Sequence, residues 1–132
     1  MGRSRAIRIW TVAASAVLSG CGPFVNVVRL ADVPPNQRAA AARVQVVPLG
    51  APVPAGAKVL QPVEAHSCKS WMTDPPATTG NAIQQLQVRT VRAGGNAVVN
   101  VTTDTRGADT WGTNCWQTVT ASGMAAIVPD AP

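Results

Sequence analysis

The 132-residue sequence contains little histidine, few charged residues and no long hydrophobic run. His66 is the single histidine; with Cys68 and Cys115 it falls short of a structural zinc site, which takes four closely spaced Cys or His ligands. The uncharged run at residues 9–20 is too short for a transmembrane helix, which needs about 20 apolar residues. Repeats, heptads and blocks of like charge are also absent, so nothing indicates a solenoid or a coiled coil.

Charge does not indicate nucleic-acid binding either. The chain has 11 basic and 6 acidic residues, but three of the basic ones, Arg3, Arg5 and Arg8, lie in the N-terminal segment. Without that segment the formal charge is 8 minus 6, or +2. The high pI therefore predicts no nucleic-acid partner.

The N-terminus has the layout of a secretory signal peptide. Three arginines precede the uncharged residues 9–20, which end in small side chains. The run closes with Leu18-Ser19-Gly20-Cys21, and this resembles the lipobox of bacterial lipoproteins. The resemblance implies cleavage after Gly20, a diacylglycerol on the Cys21 thiol and a third acyl chain on the new amino group. Several chains hold a protein stably on a membrane, whereas one chain binds marginally.

The residue after the cysteine bears on location. In enterobacterial lipoproteins an Asp at that position favours retention in the inner membrane, and this chain has Gly22. We therefore expect the outer membrane, with the domain facing the periplasm. The alternative is an ordinary signal peptide with a cysteine close by.

Lipidation of Cys21 would leave Cys68 and Cys115 as a pair in an oxidising compartment, where thiols normally form disulfides. A bond between them would close a loop of 48 residues. In the chain-entropy model, closing such a loop stabilises a domain by about 4 kcal/mol.

The sequence divides into a signal peptide at residues 1–20, a lipidated N-terminus and tether at 21–42, a globular domain at 43–128 and a tail at 129–132. Fully extended, the tether would reach roughly 70 Å.

Within the domain, apolar alternation predicts strands at residues 43–47, 58–65, 96–101 and 115–128. Pro62 places the second strand at an edge or at a bulge. Thr78 or Thr79 can cap a helix that runs to about residue 93, where Gly94-Gly95 ends it. The predicted fold is α+β, with the order β-β-α-β-β and one helix packed on a small sheet of about four strands.

A resemblance to a known family rests on residues spread over this domain. They are Ser67-Cys68, Asp74-Pro75-Pro76, Ala82, Leu86-Gln87, Asn96-Ala97-Val98, Cys115-Trp116 and Gly123-Met124-Ala125. Their order and spacing resemble the globular domain of RcsF, the outer-membrane lipoprotein family that senses envelope damage for the Rcs phosphorelay. The strand pattern is also similar to YbjQ-type domains, which carry a heavy-metal-binding label.

The RcsF resemblance implies a disulfide between Cys68 and Cys115. The family's second bridge is missing here, because its matching positions are Thr103 and Ala121. The long Pro-rich linker of that family is missing as well. The partners that the resemblance implies are outer-membrane barrels and inner-membrane signalling proteins.

Three tryptophans, Trp71, Trp111 and Trp116, lie close to the two cysteines in sequence. We favour the interpretation that their rings cover the disulfide and supplement a thin core; the alternative is an exposed patch that binds a partner. His66 is interpreted as a strand-end or surface residue.

We expect no catalytic residue, no metal ligand and no cofactor beyond the lipid on Cys21, because a disulfide would remove the nucleophilic thiol. The expected function is an envelope-stress sensing or protein-interaction module that feeds a signal-transduction phosphorelay. The alternatives are a structural envelope lipoprotein and a small metal-binding lipoprotein domain.

Overall fold

The computed structural model describes residues 22–129. The predicted signal peptide at 1–20, the predicted lipidation site Cys21 and the final residues 130–132 lie outside the described residues.

The described part of the chain contains four strands, two α-helices and one turn of 3-10 helix at Leu30–Asp32. In chain order the α-helices and strands are α1 (Pro35–Ala42), β1 (Gln45–Pro48), β2 (Lys58–Lys69), α2 (Thr79–Arg92), β3 (Ala97–Arg106) and β4 (Gln117–Ile127). The strands form one mixed sheet in the order β1-β3-β4-β2, in which β1 is parallel to β3 and the other pairs are antiparallel. The predicted α+β fold is confirmed, and α1 is an additional helix that the sequence did not indicate.

Strand β2 is an edge strand with a bulge, as Pro62 predicted. The register with β4 shifts between Val59 and Gln61, next to the proline that has no N–H to donate. Pairing with β4 then continues to Lys69, four residues beyond the predicted end of the strand. His66 therefore lies inside a strand and not at its end, so the strand-end alternative for this residue is wrong.

Helix α2 begins and ends where the sequence predicts. The Thr78 hydroxyl accepts a hydrogen bond from the Asn81 N–H at 3.1 Å, and Gly94 follows the helix with a φ of 84°. Ala82 and Leu86 are fully buried against the sheet. The core on this side consists of small apolar side chains, namely Val44, Val63, Ala65, Val98, Val101, Val119, Ala121 and Ala125.

The segment expected to be a tether is packed structure from Val28 onward. Val28, Val33 and Ala41 are buried against Val88, which lies on a face of α2 turned away from the sheet. The Val28 N–H also donates to the buried Gln85 Oε1 at 2.7 Å. Residues 22–42 therefore do not form a free linker, because α2 offers them a second apolar face besides the one that packs on the sheet.

Candidate functional site

Three strands converge at one end of the sheet. Strands β2 and β3 end there, and β4 begins there, because β4 is antiparallel to both. The Cys68–Cys115 disulfide joins the end of β2 to the loop before β4, and the Trp116 N–H donates to the Lys69 carbonyl at 2.6 Å. The predicted disulfide is confirmed, and it ties together the two loops that carry the tryptophans.

The first of these loops, residues 70–74, is organised by Asp74. Its Oδ2 accepts hydrogen bonds from the N–H groups of Ser70 at 3.0 Å and Trp71 at 2.8 Å. The Asp74 N–H donates in return to the Trp71 carbonyl at 3.1 Å, and Lys69 Nζ donates to the Asp74 carbonyl at 2.8 Å. The turn therefore presents Trp71 and Met72 in a defined place.

These bonds also act on the charge of the loop. The backbone N–H groups of Trp71 and Ser70, in that order of importance, lower the pKa of Asp74 below its ordinary value of 3.8. The carboxylate is therefore ionised at neutral pH.

The second loop, residues 107–116, is organised in the same way by Asp109. Its Oδ1 accepts the Gly112 N–H at 2.8 Å, and its backbone pairs with Cys115 and Asn114. A Cβ on Gly112 would overlap the Asp109 carboxylate, which would have to move away from its hydrogen bond with the Gly112 N–H. Trp111 lies at the tip of the loop, between Asp109 and Gly112 in the sequence.

The first described residues of the chain are held on this second loop. Asn114 Nδ2 donates to the Gly22 carbonyl at 2.9 Å, and the Phe24 N–H donates to the Thr113 carbonyl at 2.9 Å. Asn114 has a φ of 54°, a conformation that asparagine tolerates better than most residues. The residue that follows Cys21 therefore lies against the loop that carries Cys115.

The large apolar side chains at this end are exposed. The exposed fractions are 54% for Trp71, 79% for Met72, 94% for Trp111, 50% for Trp116 and 67% for Phe24. We call these five residues the aromatic end. The interpretation that the tryptophans supplement the core is corrected, because no tryptophan ring among residues 22–129 is buried.

Sequence reasoning found the three tryptophans and missed Phe24 and Met72. Phe24 was missed because it lies in the segment predicted to be a tether. Its place three residues after Cys21 is the sequence feature that could have indicated it. The chain has four tryptophans, one phenylalanine and no tyrosine, and Trp10 precedes Cys21. Every Trp and Phe from Cys21 onward is therefore at the aromatic end.

A polar network crosses the sheet face that α2 does not cover. His66 contacts Thr120 Oγ1 through Nδ1 at 2.9 Å and Glu64 Oε1 through Nε2 at 3.0 Å, and the Ser122 hydroxyl donates to Glu64 Oε2 at 3.2 Å. Hydroxyl, imidazole and carboxylate groups thus stand in a row. Such a row could also belong to a nucleophilic catalytic site. Strand β4, however, pairs with β2 on one side and β3 on the other, so the backbone N–H groups around Thr120 are engaged in the sheet and offer no oxyanion hole. We interpret the row as cross-strand stabilisation.

A groove of 470 Å³ separates the free edge of β2 from α2 and is lined by residues that include His66, Arg89 and Arg92. The Arg89 guanidinium donates to the Asn26 carbonyl at 2.6 Å, while its Nε is buried with no hydrogen-bond partner among the described residues. Between residues 22 and 129, no three His, Cys, Asp or Glu side chains gather as metal ligands.

No helix in the described part of the chain is both long and apolar enough to span a membrane. No family model matches the chain, and no curated protein matches it. One solved structure to which it is similar is a protein of unknown function of the DUF74 family from Pediococcus pentosaceus, with a TM-score of 0.48 and 16% sequence identity. The match covers 64% of this chain and 97% of that one.

Proposed function

We propose that this protein is an outer-membrane lipoprotein, anchored through lipid on Cys21, whose domain works by contact with other envelope proteins and without catalysis. Its task is envelope-stress sensing or protein interaction that feeds a signal-transduction phosphorelay. The domain faces the periplasm.

The proposal rests on the way the three cysteines divide into a bonded pair and a single N-terminal cysteine. Two of the three cysteines, Cys68 and Cys115, are bonded to each other. The third, Cys21, ends the segment that resembles a lipobox. A disulfide fits an exported protein, since the cytosol keeps thiols reduced.

The sensing role rests on the resemblance to RcsF, and one feature of the sheet supports that resemblance. Thr103 and Ala121, which stand where the family has its second bridge, are direct partners across β3 and β4. Cysteines at these two positions would face each other. The loss of both is therefore coherent with a shared fold.

The anchor is tested by replacing Cys21 with serine in the full chain and fractionating the cell membranes. We expect wild-type protein to carry acyl chains and to sediment with the outer membrane, and Cys21→Ser to carry no acyl chain and to leave that fraction. The matched control is the Cys68→Ser, Cys115→Ser double variant, which should keep its lipid. Equal acylation of Cys21→Ser and wild type would contradict the anchor.

The signalling role needs its own experiment. Deleting the gene should abolish or weaken the transcriptional response to outer-membrane damage, and the wild-type gene should restore it. An unchanged response would contradict a sensor. Crosslinking in stressed cells then separates the alternatives, because a sensor should capture an inner-membrane partner and a structural lipoprotein should not.

A further inference from the structure

The aromatic end exposes five large apolar side chains to solvent. Trp111 and Phe24 rank among the most exposed large apolar side chains of residues 22–129, and Trp71, Met72 and Trp116 stand on the same pair of joined loops. A small domain with few aromatic residues gains most by burying them. Their common exposure at one end therefore calls for an occupant that covers them.

The place of Gly22, the residue that follows Cys21 in the sequence, indicates which occupant. Its carbonyl accepts a hydrogen bond from Asn114, on the loop that carries Trp111 and Trp116. Phe24 is held on the same loop by its N–H. With acyl chains on Cys21, no length of free chain would separate this end from the lipid headgroups.

From this geometry, and resting on the lipid anchor proposed above, we infer that the aromatic end docks on the bilayer that holds the Cys21 lipid. Tryptophan is enriched at the interface between hydrocarbon and water, because its ring is apolar and its N–H is polar.

The charged groups nearby fit such a surface. The carboxylates of Asp74 and Asp109 accept N–H groups of their own loops. Lys69 at the same end donates to the carbonyl groups of Met72 and Asp74. These three charges are thus engaged within the loops that the bilayer would contact.

Tryptophan fluorescence tests the inference directly, because the mature chain holds tryptophan at this end alone. The probe is full-length lipoprotein extracted from membranes and reconstituted into vesicles of phosphatidylethanolamine and phosphatidylglycerol, with and without bromine on the acyl chains. We expect brominated vesicles to remove most of the tryptophan emission, and acrylamide in the water to quench the remainder poorly. Single replacements of Trp71, Trp111 and Trp116 by leucine should each remove part of the bromine-sensitive emission.

The matched control moves the probe to the opposite end of the sheet. Val59 is exposed, pairs with Ala126 and lies ten residues before Lys69 on β2, or about 33 Å away at the rise of a strand. In a variant with leucine at the three native tryptophan positions, Val59→Trp should respond to acrylamide and not to bromine.

An intact mass taken on the same sample separates the two proposals. Acyl chains present, with native tryptophans that acrylamide quenches and bromine does not, would overturn the docking and leave the anchor standing. No acyl mass would overturn the anchor, and the docking with it. Protection of the tryptophans only in a crosslinked complex with a protein would overturn bilayer docking in favour of a protein-binding face.

Discussion

Asp74 and Asp109 have the same role in two neighbouring loops. The Asp74 carboxylate accepts two backbone N–H groups of its turn and the Asp109 carboxylate accepts one, and each turn carries an exposed tryptophan. Such bonds are charge-assisted and stronger than bonds between neutral groups. The exposed rings are thus presented by ordered backbone.

Replacing Asp74 by alanine should release the first loop. The N–H groups of Ser70 and Trp71 lose their acceptor, so their hydrogen exchange should accelerate while exchange in β3 stays slow. Amide exchange measured by NMR checks this result. Unchanged protection of Ser70 and Trp71 would contradict the role given to Asp74.

The lowered pKa of Asp74 gives the same loop a dependence on pH. Because the folded pKa lies below 3.8, the stabilisation is fully present above that pH and is lost as the pH falls through the lower folded value. Protection of the Ser70 and Trp71 amides should therefore fall in acid for wild type. In Asp74→Ala the amides should be unprotected at every pH, and a wild-type loop insensitive to acid would contradict the assignment.

Among the elements, α2 connects the sheet to the N-terminal segment. Ala82 and Leu86 face the sheet core, whereas Gln85 and Val88 hold the residues before β1. A buried polar residue that binds a backbone N–H is costly to replace, because its partner is left unsatisfied.

Gln85→Leu tests this second face of the helix. Loss of the Oε1 that accepts the Val28 N–H should destabilise the protein by about 1–3 kcal/mol. Exchange over residues 26–42 should rise, and the exposed Gln84→Leu serves as the control, with little effect on either measurement. Equal stability of the two variants in urea would contradict the assignment.

The same elements show what the sequence could predict. The bounds of α2 and the edge position of β2 could be predicted, because a helix cap, a glycine and a proline each affect the backbone within a few residues of themselves. Helix α1 could not be predicted in this way. Its alanine-rich sequence has little hydrophobic pattern, and the helix is stabilised by packing against Val88, more than 40 residues away in the chain. The exposure of the tryptophans was equally hidden, because periodicity says nothing of rings on loops.

For the whole molecule, the Cys68–Cys115 disulfide joins residues with a sequence separation of 47 and also supports the aromatic end. Replacing both Cys68 and Cys115 by serine should lower the free energy of unfolding by about 2–5 kcal/mol. Denaturant titration measures the loss, and reduction of wild type should reproduce it. A double variant as stable as oxidised wild type would show that the bridge does not stabilise the fold.

If a lipid on Cys21 holds the domain on a membrane, the intact mass of the protein extracted from cell membranes must show it. We expect a chain that begins at Cys21, carries a diacylglycerol and an amide-linked acyl chain, and lacks the two hydrogen atoms lost in forming the Cys68–Cys115 bridge. A mass without acyl chains, or a chain that begins at any other residue, would contradict it.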